Sequence, residues 1–326
     1  MSDETPSGGA TVVTGVGLAL PGALVPAGLA AADDTGPTDG ATPVDPAARI
    51  GKKGLRYKDR ATQLALVAAH DALRAAGLAE GEGRAAALTA EPTSVGVVAS
   101  SNYGNLDSVC DVVTTVAEAG STRLVSPITV PNLSSNVIAS EVAIRFTLRG
   151  PNLTVCNGPT SGLDAIRWAL TWLAGGRAQR VLVLGAEPDN PVVRELLAGR
   201  PGLDGAVALV LETAASAAER GAPPLAVVDR YARTGDVAGV VAALRLEADE
   251  LAGWYPPESE LDGDPLPGVA RLDAPPGPAS SGALGVLWCA AATGRLRENP
   301  DGAVLALAGG GAGEDAAGVL MRSAAP

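Results

Sequence analysis

The chain has 326 residues, 47% of them hydrophobic and only 3% aromatic, and its formal net charge at pH 7 is −12. This length and apolar fraction permit one large or two ordinary domains and exclude a wholly disordered chain. The negative charge argues against nucleic acid and anionic membranes as partners. Gly and Pro interrupt every long apolar run, so no transmembrane helix is predicted.

Histidine and cysteine usage restricts the chemistry available to the chain. His70 is the only histidine, which argues against a Ser-His-Asp triad, a Cys-His pair and a histidine-rich metal site. We therefore expect no metal and no cofactor. The three cysteines lack paired spacing, and the start at Met1 lacks the basic region of a signal peptide. Both features favour a reducing, cytoplasmic location.

The first half of the chain alternates between predicted strands and helices. Residues 1–10 are predicted to be a disordered tail. The strand from Thr11 leads into Gly15 and Gly17, but Pro21 interrupts where a dinucleotide site needs a third glycine and a helix. Further elements are predicted as a loop at 32–56, a helix at 59–76 that contains His70, a strand at 94–100, a helix at 106–117, an extended segment at 125–133 and a helix at 134–146.

The second half continues this alternation. Strands at 180–187 and 203–212 are apolar on both faces, as expected in a sheet covered by helices on each side. Beyond them the predicted elements are a helix at 213–220, a strand from 224, a helix at 237–251, a Pro-rich stretch at 255–281, a helix at 282–293, a strand at 303–308, a glycine run at 309–313 and a strand at 317–322. Alternation of this kind predicts the α/β class.

The most informative stretch, residues 150–173, predicts a strand, a tight turn and a helix. The strand is predicted over 153–156, and apolar residues recur at helical spacing from Leu163 to Leu173. The turn between them is Asn157, Gly158, Pro159, Thr160 and Ser161. Many acyl-transfer enzymes keep a nucleophile at such an elbow, where the helix N-terminus favours an anion. Here the tip is Pro159, which offers neither a nucleophile nor an N–H group.

Several motifs together resemble a β-ketoacyl synthase of the thiolase fold. They are VVTGVGLALPG after Thr11, QLALVAAHDALRAAGL, SVGVVASSNYGN, VAIRFTLRGPNLTV followed by TSGLDAI, VLVLGAEPD and DGAVALVLE. The resemblance implies a five-layer α-β-α-β-α fold with two pseudo-repeated halves, residues 11–222 and a shortened 223–326. The segment TSGLDA is similar to the type II polyketide synthase branch.

Departures from the family pattern imply that this chain does not condense acyl units. The family's catalytic cysteine falls on Pro159, and no histidine follows His70 where the family needs two. Ser280 and Ser281 stand where one of these histidines would lie, and the glycine run lacks the Phe or Asn of the family's oxyanion loop. Cys156 is predicted to be a buried strand cysteine, and Ser161 is predicted to cap the helix.

The resemblance therefore implies a chain-length factor, the inactive partner of a ketosynthase with a Cys-His-His site. In such heterodimers the strand of Asn152, Leu153, Thr154, Val155 and Cys156 would pair with its counterpart across the dimer axis. The acyl tunnel would be lined by Leu106, Val109, Val112, Val113, Val116, Pro131, Asn132 and Leu133. Ordinary core packing is the alternative interpretation of the valine stripe. Valines at the tunnel floor would leave room for a medium or long chain.

An acidic acyl carrier protein is predicted to dock mainly on the partner, because the charge of −12 on this chain would repel it. Two other functions remain open. One is a stand-alone scaffold or binding homodimer in a polyketide or fatty-acid pathway. The other is a malonyl decarboxylase or priming subunit, against which Pro159 and the lone His70 argue.

Overall fold

The computed structural model describes residues 9–22, 42–81, 86–261, 263–272 and 279–324. The predicted disordered tail lies outside the described residues up to position 8. The predicted loop at 32–56 lies outside them up to position 41, and the Pro-rich stretch does so at 262 and 273–278.

The strands have a predominantly apolar sequence and form two sheets. They are β1 (Thr11–Ala19), β2 (Ala79–Glu80), β3 (Ala87–Leu88), β4 (Val95–Ser100), β5 (Asn152–Val155), β6 (Arg180–Glu187), β7 (Gly205–Thr213), β8 (Ala226–Thr234), β9 (Leu251–Tyr255), β10 (Ala303–Gly309) and β11 (Ala316–Ser323). β2 and β3 form a small hairpin sheet. The other nine form one mixed sheet in the order β5-β4-β6-β7-β1-β8-β11-β10-β9.

Helices connect these strands and cover the sheet. They are α1 (Pro46–Ile50), α2 (Arg60–Ala75), α3 (Leu106–Ala119), α4 (Val137–Phe146), α5 (Ser161–Ala174), α6 (Pro191–Leu196), α7 (Ala214–Glu219), α8 (Val237–Leu244) and α9 (Leu284–Glu298). The Asp59 carboxylate accepts the Thr62 N–H and so caps the start of α2. His70 is buried in α2, and its Nδ1 lies 3.0 Å from Asp71 Oδ1.

The large sheet repeats itself on either side of the contact between β1 and β8. On one side β1–β7 and β7–β6 are antiparallel and β6–β4 is parallel; on the other β8–β11 and β11–β10 are antiparallel and β10–β9 is parallel. Only three residue pairs join β1 to β8. Among the described residues β5 has no counterpart beyond β9. The predicted pseudo-repeat with an abbreviated second half is thus confirmed.

Side chains alternate across both halves of the sheet and create five layers. On β6, Val181 and Val183 face the central helices α5 and α9, whereas Leu182 and Leu184 face α2 and α4. The strands of the second half repeat this pattern, with one face toward the central helices and the other toward α8. Each half-sheet is therefore buried on both faces, as its continuous apolar sequence predicts.

Several predicted elements differ from the structure: the predicted loop at 32–56 contains the short helix α1, and the helix predicted at 282–293 covers Leu284–Glu298. The helix predicted at 237–251 ends at Leu244, because Arg245 adopts a left-handed conformation (φ 50°) and the Arg230 guanidinium bonds the carbonyls of Leu244 and Arg245. The chain then forms β9, which the sequence did not predict. The helix predicted at 134–146 begins only at Val137.

Candidate functional site

The predicted elbow is present between β5 and α5. The turn contains Gly158 in a left-handed conformation (φ 86°), which favours glycine, and Pro159 is half-buried at its tip. The helix begins at Ser161 with Thr160 at its N-cap position. The backbone of a nucleophile elbow is therefore retained around a residue that cannot attack.

Cys156 lies three residues before the tip of the elbow. The prediction of a buried strand cysteine is wrong, because β5 ends at Val155 and Cys156 is exposed. Partial desolvation and the nearby Glu187 carboxylate both raise the pKa of the Cys156 thiol. The reactive thiolate is thus disfavoured despite the exposure of the residue.

Ser161 serves the turn rather than the helix. Its hydroxyl accepts the Asn157 backbone N–H at 2.8 Å and lies within 2.7 Å of the Gly158 carbonyl. The predicted cap is therefore wrong: this side chain bonds the loop that precedes the helix. His70 is the only histidine of the chain, and it is buried in α2.

A buried carboxylate in the first turn of α5 fixes the elbow to the second half. Asp164 accepts hydrogen bonds from Asn157 Nδ2 (2.6 Å), Thr160 Oγ1 (2.8 Å), the Tyr231 hydroxyl (2.5 Å) and Arg233 Nη1 (2.9 Å). Burial, reinforced by the bond to Asp164, raises the pKa of Tyr231 well above its usual value. The Asp164 carboxylate therefore bonds both ends of the turn and also two side chains of strand β8.

The glycine run after β10 adjoins the elbow. A Cβ on Gly309 would lie 2.2 Å from the Asp315 carbonyl oxygen and 2.9 Å from Thr160 Cγ2. Only a residue without a side chain permits this approach. The Arg233 guanidinium also bonds Asp315 (3.0 Å), so the loop, β8 and the elbow form one connected structure.

A second buried carboxylate, Glu187 at the end of β6, lies beside the elbow. It accepts hydrogen bonds from the backbone N–H groups of Asn102 (2.7 Å), Tyr103 (3.0 Å) and Gly282 (3.0 Å) and from Ser101 Oγ (3.1 Å). Burial raises the pKa of Glu187 to about 7, although the four donors act in the opposite direction. The sequence analysis did not identify Glu187. The signal that could have indicated it is a carboxylate at the end of a largely apolar strand.

The segment that would carry a family histidine contains Ser280 and Ser281, which turn into α9. Glu258, which follows β9, accepts the backbone N–H groups of both serines, at 2.5 and 3.1 Å. Ser281 has a left-handed backbone (φ 40°), which is unusual for a residue other than glycine. The side chains here offer no general base of the imidazole type.

We expect the titration of Glu187 to lower stability as pH rises. Between about pH 5 and 7 the unfolded chain ionises this group while the folded chain retains its proton, so the free energy of unfolding should fall by about 3 kcal/mol. Urea unfolding at several pH values measures this slope. Glu187→Gln should flatten it, and an equal slope in both proteins would contradict the assignment.

Helix α3 leaves its apolar stripe only partly covered. None of its residues is buried: Val113 is 62% exposed, and Leu106, Val109, Val112 and Val116 are half-buried. Core packing within this chain is therefore the wrong interpretation of the stripe. Other exposed apolar side chains on the neighbouring segments and α6 are Leu124, Ile128, Val130 and Leu196.

The other predicted tunnel residues, at 131–133, form a short 3-10 turn beside α3. Pro131 is exposed and Leu133 is half-buried. Asn132 is buried for a structural reason, since its Nδ2 donates to the Tyr57 carbonyl (2.6 Å) and its own carbonyl accepts from Asn105 Nδ2 (2.5 Å). Of these three residues, Asn132 therefore uses its side-chain N–H group and its backbone carbonyl in hydrogen bonds within this chain.

Strand β5 is an edge of the large sheet. Its register with β4 directs the N–H and C=O groups of Leu153 and Val155 toward β4, and those of Asn152 and Thr154 outward. The two helices that pack against β5 carry exposed apolar residues, Ile144 (72% exposed) on α4 and Trp168 (45% exposed) on α5. An uncovered strand edge flanked by apolar side chains is a surface suited to pairing.

The described residues contain no group of three or more His, Cys, Asp or Glu side chains that could hold a metal ion. Within the same parts of the chain, every helix is too short or too polar to cross a membrane.

Residues 26–196, more than half of the chain, match the family described as Beta-ketoacyl synthase, N-terminal domain. The chain therefore belongs to the β-ketoacyl synthase family. It is 31% identical over 212 residues to 3-oxoacyl-[acyl-carrier-protein] synthase 2 of Vibrio harveyi, covering 57% of this chain and 49% of that protein. It is 32% identical over 145 residues to the Granaticin polyketide putative beta-ketoacyl synthase 1 of Streptomyces violaceoruber, covering 43% and 33%.

The chain thus spans about half the length of the curated relatives it matches. Among solved structures, the ishigamide ketosynthase/chain length factor is similar over 96% of this chain and 99% of that chain, with a TM-score of 0.75 and 22% identity. A type II polyketide synthase acyl-carrier protein in complex with its ketosynthase, AntDE:AntF, gives a TM-score of 0.71 and 14% identity with the same coverage. These likenesses confirm the thiolase-like ketosynthase fold.

Proposed function

We propose that this chain is a non-catalytic ketosynthase homologue, a chain-length factor, that forms a heterodimer with an active ketosynthase of a type II polyketide synthase. In that pair it would complete and limit the acyl tunnel of a partner that carries a Cys-His-His site. The observation that carries the proposal is an intact elbow whose tip is Pro159. Condensation needs a nucleophile with a base within hydrogen-bond reach, and the tip of this elbow offers no nucleophile.

Two uncovered surfaces support an assembly role. The free edge of β5 offers the backbone groups of Asn152 and Thr154, and residues 152–156 are the proposed centre of the dimer interface. The stripe of α3 offers apolar side chains to a partner. Pairing of β5 with a partner strand would continue the sheet across two subunits and remove both free edges.

The valine stripe of α3, with residues 131–133, is the proposed floor of the partner's tunnel. Its moderate side chains would admit a medium or long acyl chain. Val113→Phe in the active pair is expected to shorten the product, because the added ring occupies the end of the tunnel. Mass spectrometry of the products measures the change, and unchanged length would remove Val113 from the tunnel.

We propose that an acidic carrier protein docks mainly on the partner, because the net charge of −12 repels it here. Lys52, Lys53 and Arg56 are exposed and form no ion pair with a carboxylate in the described parts of the chain. This basic segment is therefore a favourable place for contact with a carrier on this chain. Efficient cross-linking of a carrier to Lys52 or Lys53 would contradict the proposal.

Co-expression with candidate intact ketosynthases tests the proposed function. A stable 1:1 complex is expected, with condensing activity that requires the partner's cysteine. The chain purified alone should neither acquire an acyl group nor join two acyl units. A soluble homodimer that ignores every ketosynthase would favour the scaffold, and release of CO₂ from malonyl-carrier by the chain alone would favour the decarboxylase.

A further inference from the structure

The side chain of Asn102, two residues beyond β4, connects the elbow to the second half of the chain. Its Nδ2 donates to the Gly158 carbonyl (2.9 Å) and to Ser281 Oγ (2.8 Å). Its Oδ1 accepts from the Gly158 N–H (3.3 Å) and lies 3.0 Å from Ser161 Oγ. Both N–H donors of the amide are thus occupied, and its oxygen accepts one backbone hydrogen bond. A single side chain fills the gap between the turn and Ser281.

The backbone of Asn102 and the Ser281 side of this gap are fixed to the same buried group. Glu187, which is 0% exposed, accepts the backbone N–H of Asn102 at 2.7 Å and that of Gly282 at 3.0 Å. Moving the Asn102 backbone away from Gly282 would therefore break a hydrogen bond to a buried carboxyl group, which is unfavourable. Ser281 is held in its left-handed conformation by this arrangement and by its N–H bond to Glu258.

We propose that Asn102 closes the elbow, so that even a nucleophile restored at position 159 would stay inaccessible to an acyl group while this side chain is present. The inference rests on the proposed non-catalytic function and adds an obstruction independent of Pro159. The missing thiol prevents attack, and the amide occupies the space that an approaching acyl group must enter. The elbow is then inert for two separate reasons.

Thiol alkylation tests this proposal. Pro159→Cys is introduced into a Cys156→Ala background, with and without Asn102→Gly, and each protein is treated with iodoacetamide. Peptide mass spectrometry follows the introduced thiol, with Cys110 and Cys289 as internal references. Alkylation at position 159 is expected to be about tenfold faster with Asn102→Gly, the factor that corresponds to the loss of roughly one net hydrogen bond.

Asn105→Gly is the matched control, because the Asn105 side chain bonds Asn132 and Ser134 rather than the elbow. It should leave the rate at position 159 unchanged. Circular dichroism verifies folding, and Asn102→Ala provides the same comparison if the glycine variant does not fold. Equal rates with and without the Asn102 side chain would overturn the proposal. Acylation of the unmodified chain by an acyl thioester would instead overturn the proposed function.

Discussion

Gly285→Ala is expected to lower the free energy of unfolding by about 3 kcal/mol, or the melting temperature by roughly 5–10 °C. The two central helices cross at this residue: a Cβ on Gly285 would lie 2.4 Å from Leu163 N and 2.8 Å from the Gly162 carbonyl carbon. Neither neighbour is the free end of a flexible side chain, so α5 and α9 must separate. Thermal unfolding followed by circular dichroism measures the effect.

Gly235→Ala is the control for this substitution. Gly235 lies in an exposed turn where an added Cβ would meet nothing within 4 Å. This variant should melt within about 1 °C of the unmodified chain, as surface substitutions usually do. If Gly285→Ala behaved like the control, the close crossing of the central helices would be wrong. Because α5 begins at the elbow, its position in the fold depends on the same crossing.

The elbow was predictable because its signals are local. Alternation before Val155, small residues through Ser161 and helical spacing from Leu163 to Leu173 each act within a few residues. The identity of the tip residue also needs no tertiary information. The lack of a nucleophilic side chain at the tip could therefore be inferred from the sequence alone, and the structure places Pro159 at the turn.

Strand β9 was not predictable, because the residues that stabilise it are far away in the sequence. Its five residues, Leu251–Tyr255, pair with β10, about fifty positions later in the chain. The helix before it ends where Arg230 bonds the carbonyls of Leu244 and Arg245, although the apolar pattern alone suggests that the helix continues. In this region a tertiary contact overrides local propensity.

The contacts made by the α3 stripe and by Asn102 could not be predicted from the sequence either. The valine stripe of α3 predicts a helix with an apolar face, but spacing cannot say whether that face meets this chain or another. Asn102 lies in a segment that reads as an ordinary polar loop, and its contacts with Gly158 and Ser281 span 56 and 179 positions. A polar residue two positions after a buried strand was the available signal.

Thr154→Pro is expected to weaken the proposed complex with a ketosynthase while leaving this chain folded. The Thr154 N–H faces away from β4, so proline at this position removes a hydrogen bond to a partner strand without breaking the sheet of this chain. We expect affinity to fall at least about tenfold, since the lost bond and the bulk of the ring both oppose pairing. Size-exclusion chromatography and titration calorimetry of the pair measure the loss.

Thr154→Val separates the backbone from the side chain. It retains the outward N–H and removes only the hydroxyl, which is buried and has no hydrogen-bond partner within this chain. The valine variant should therefore bind as the unmodified chain does. If proline and valine at this position bound equally well, the partner would have to lie elsewhere, with the stripe of α3 as the remaining surface. If only proline prevented assembly, the edge of β5 would be the contact on which the heterodimer depends.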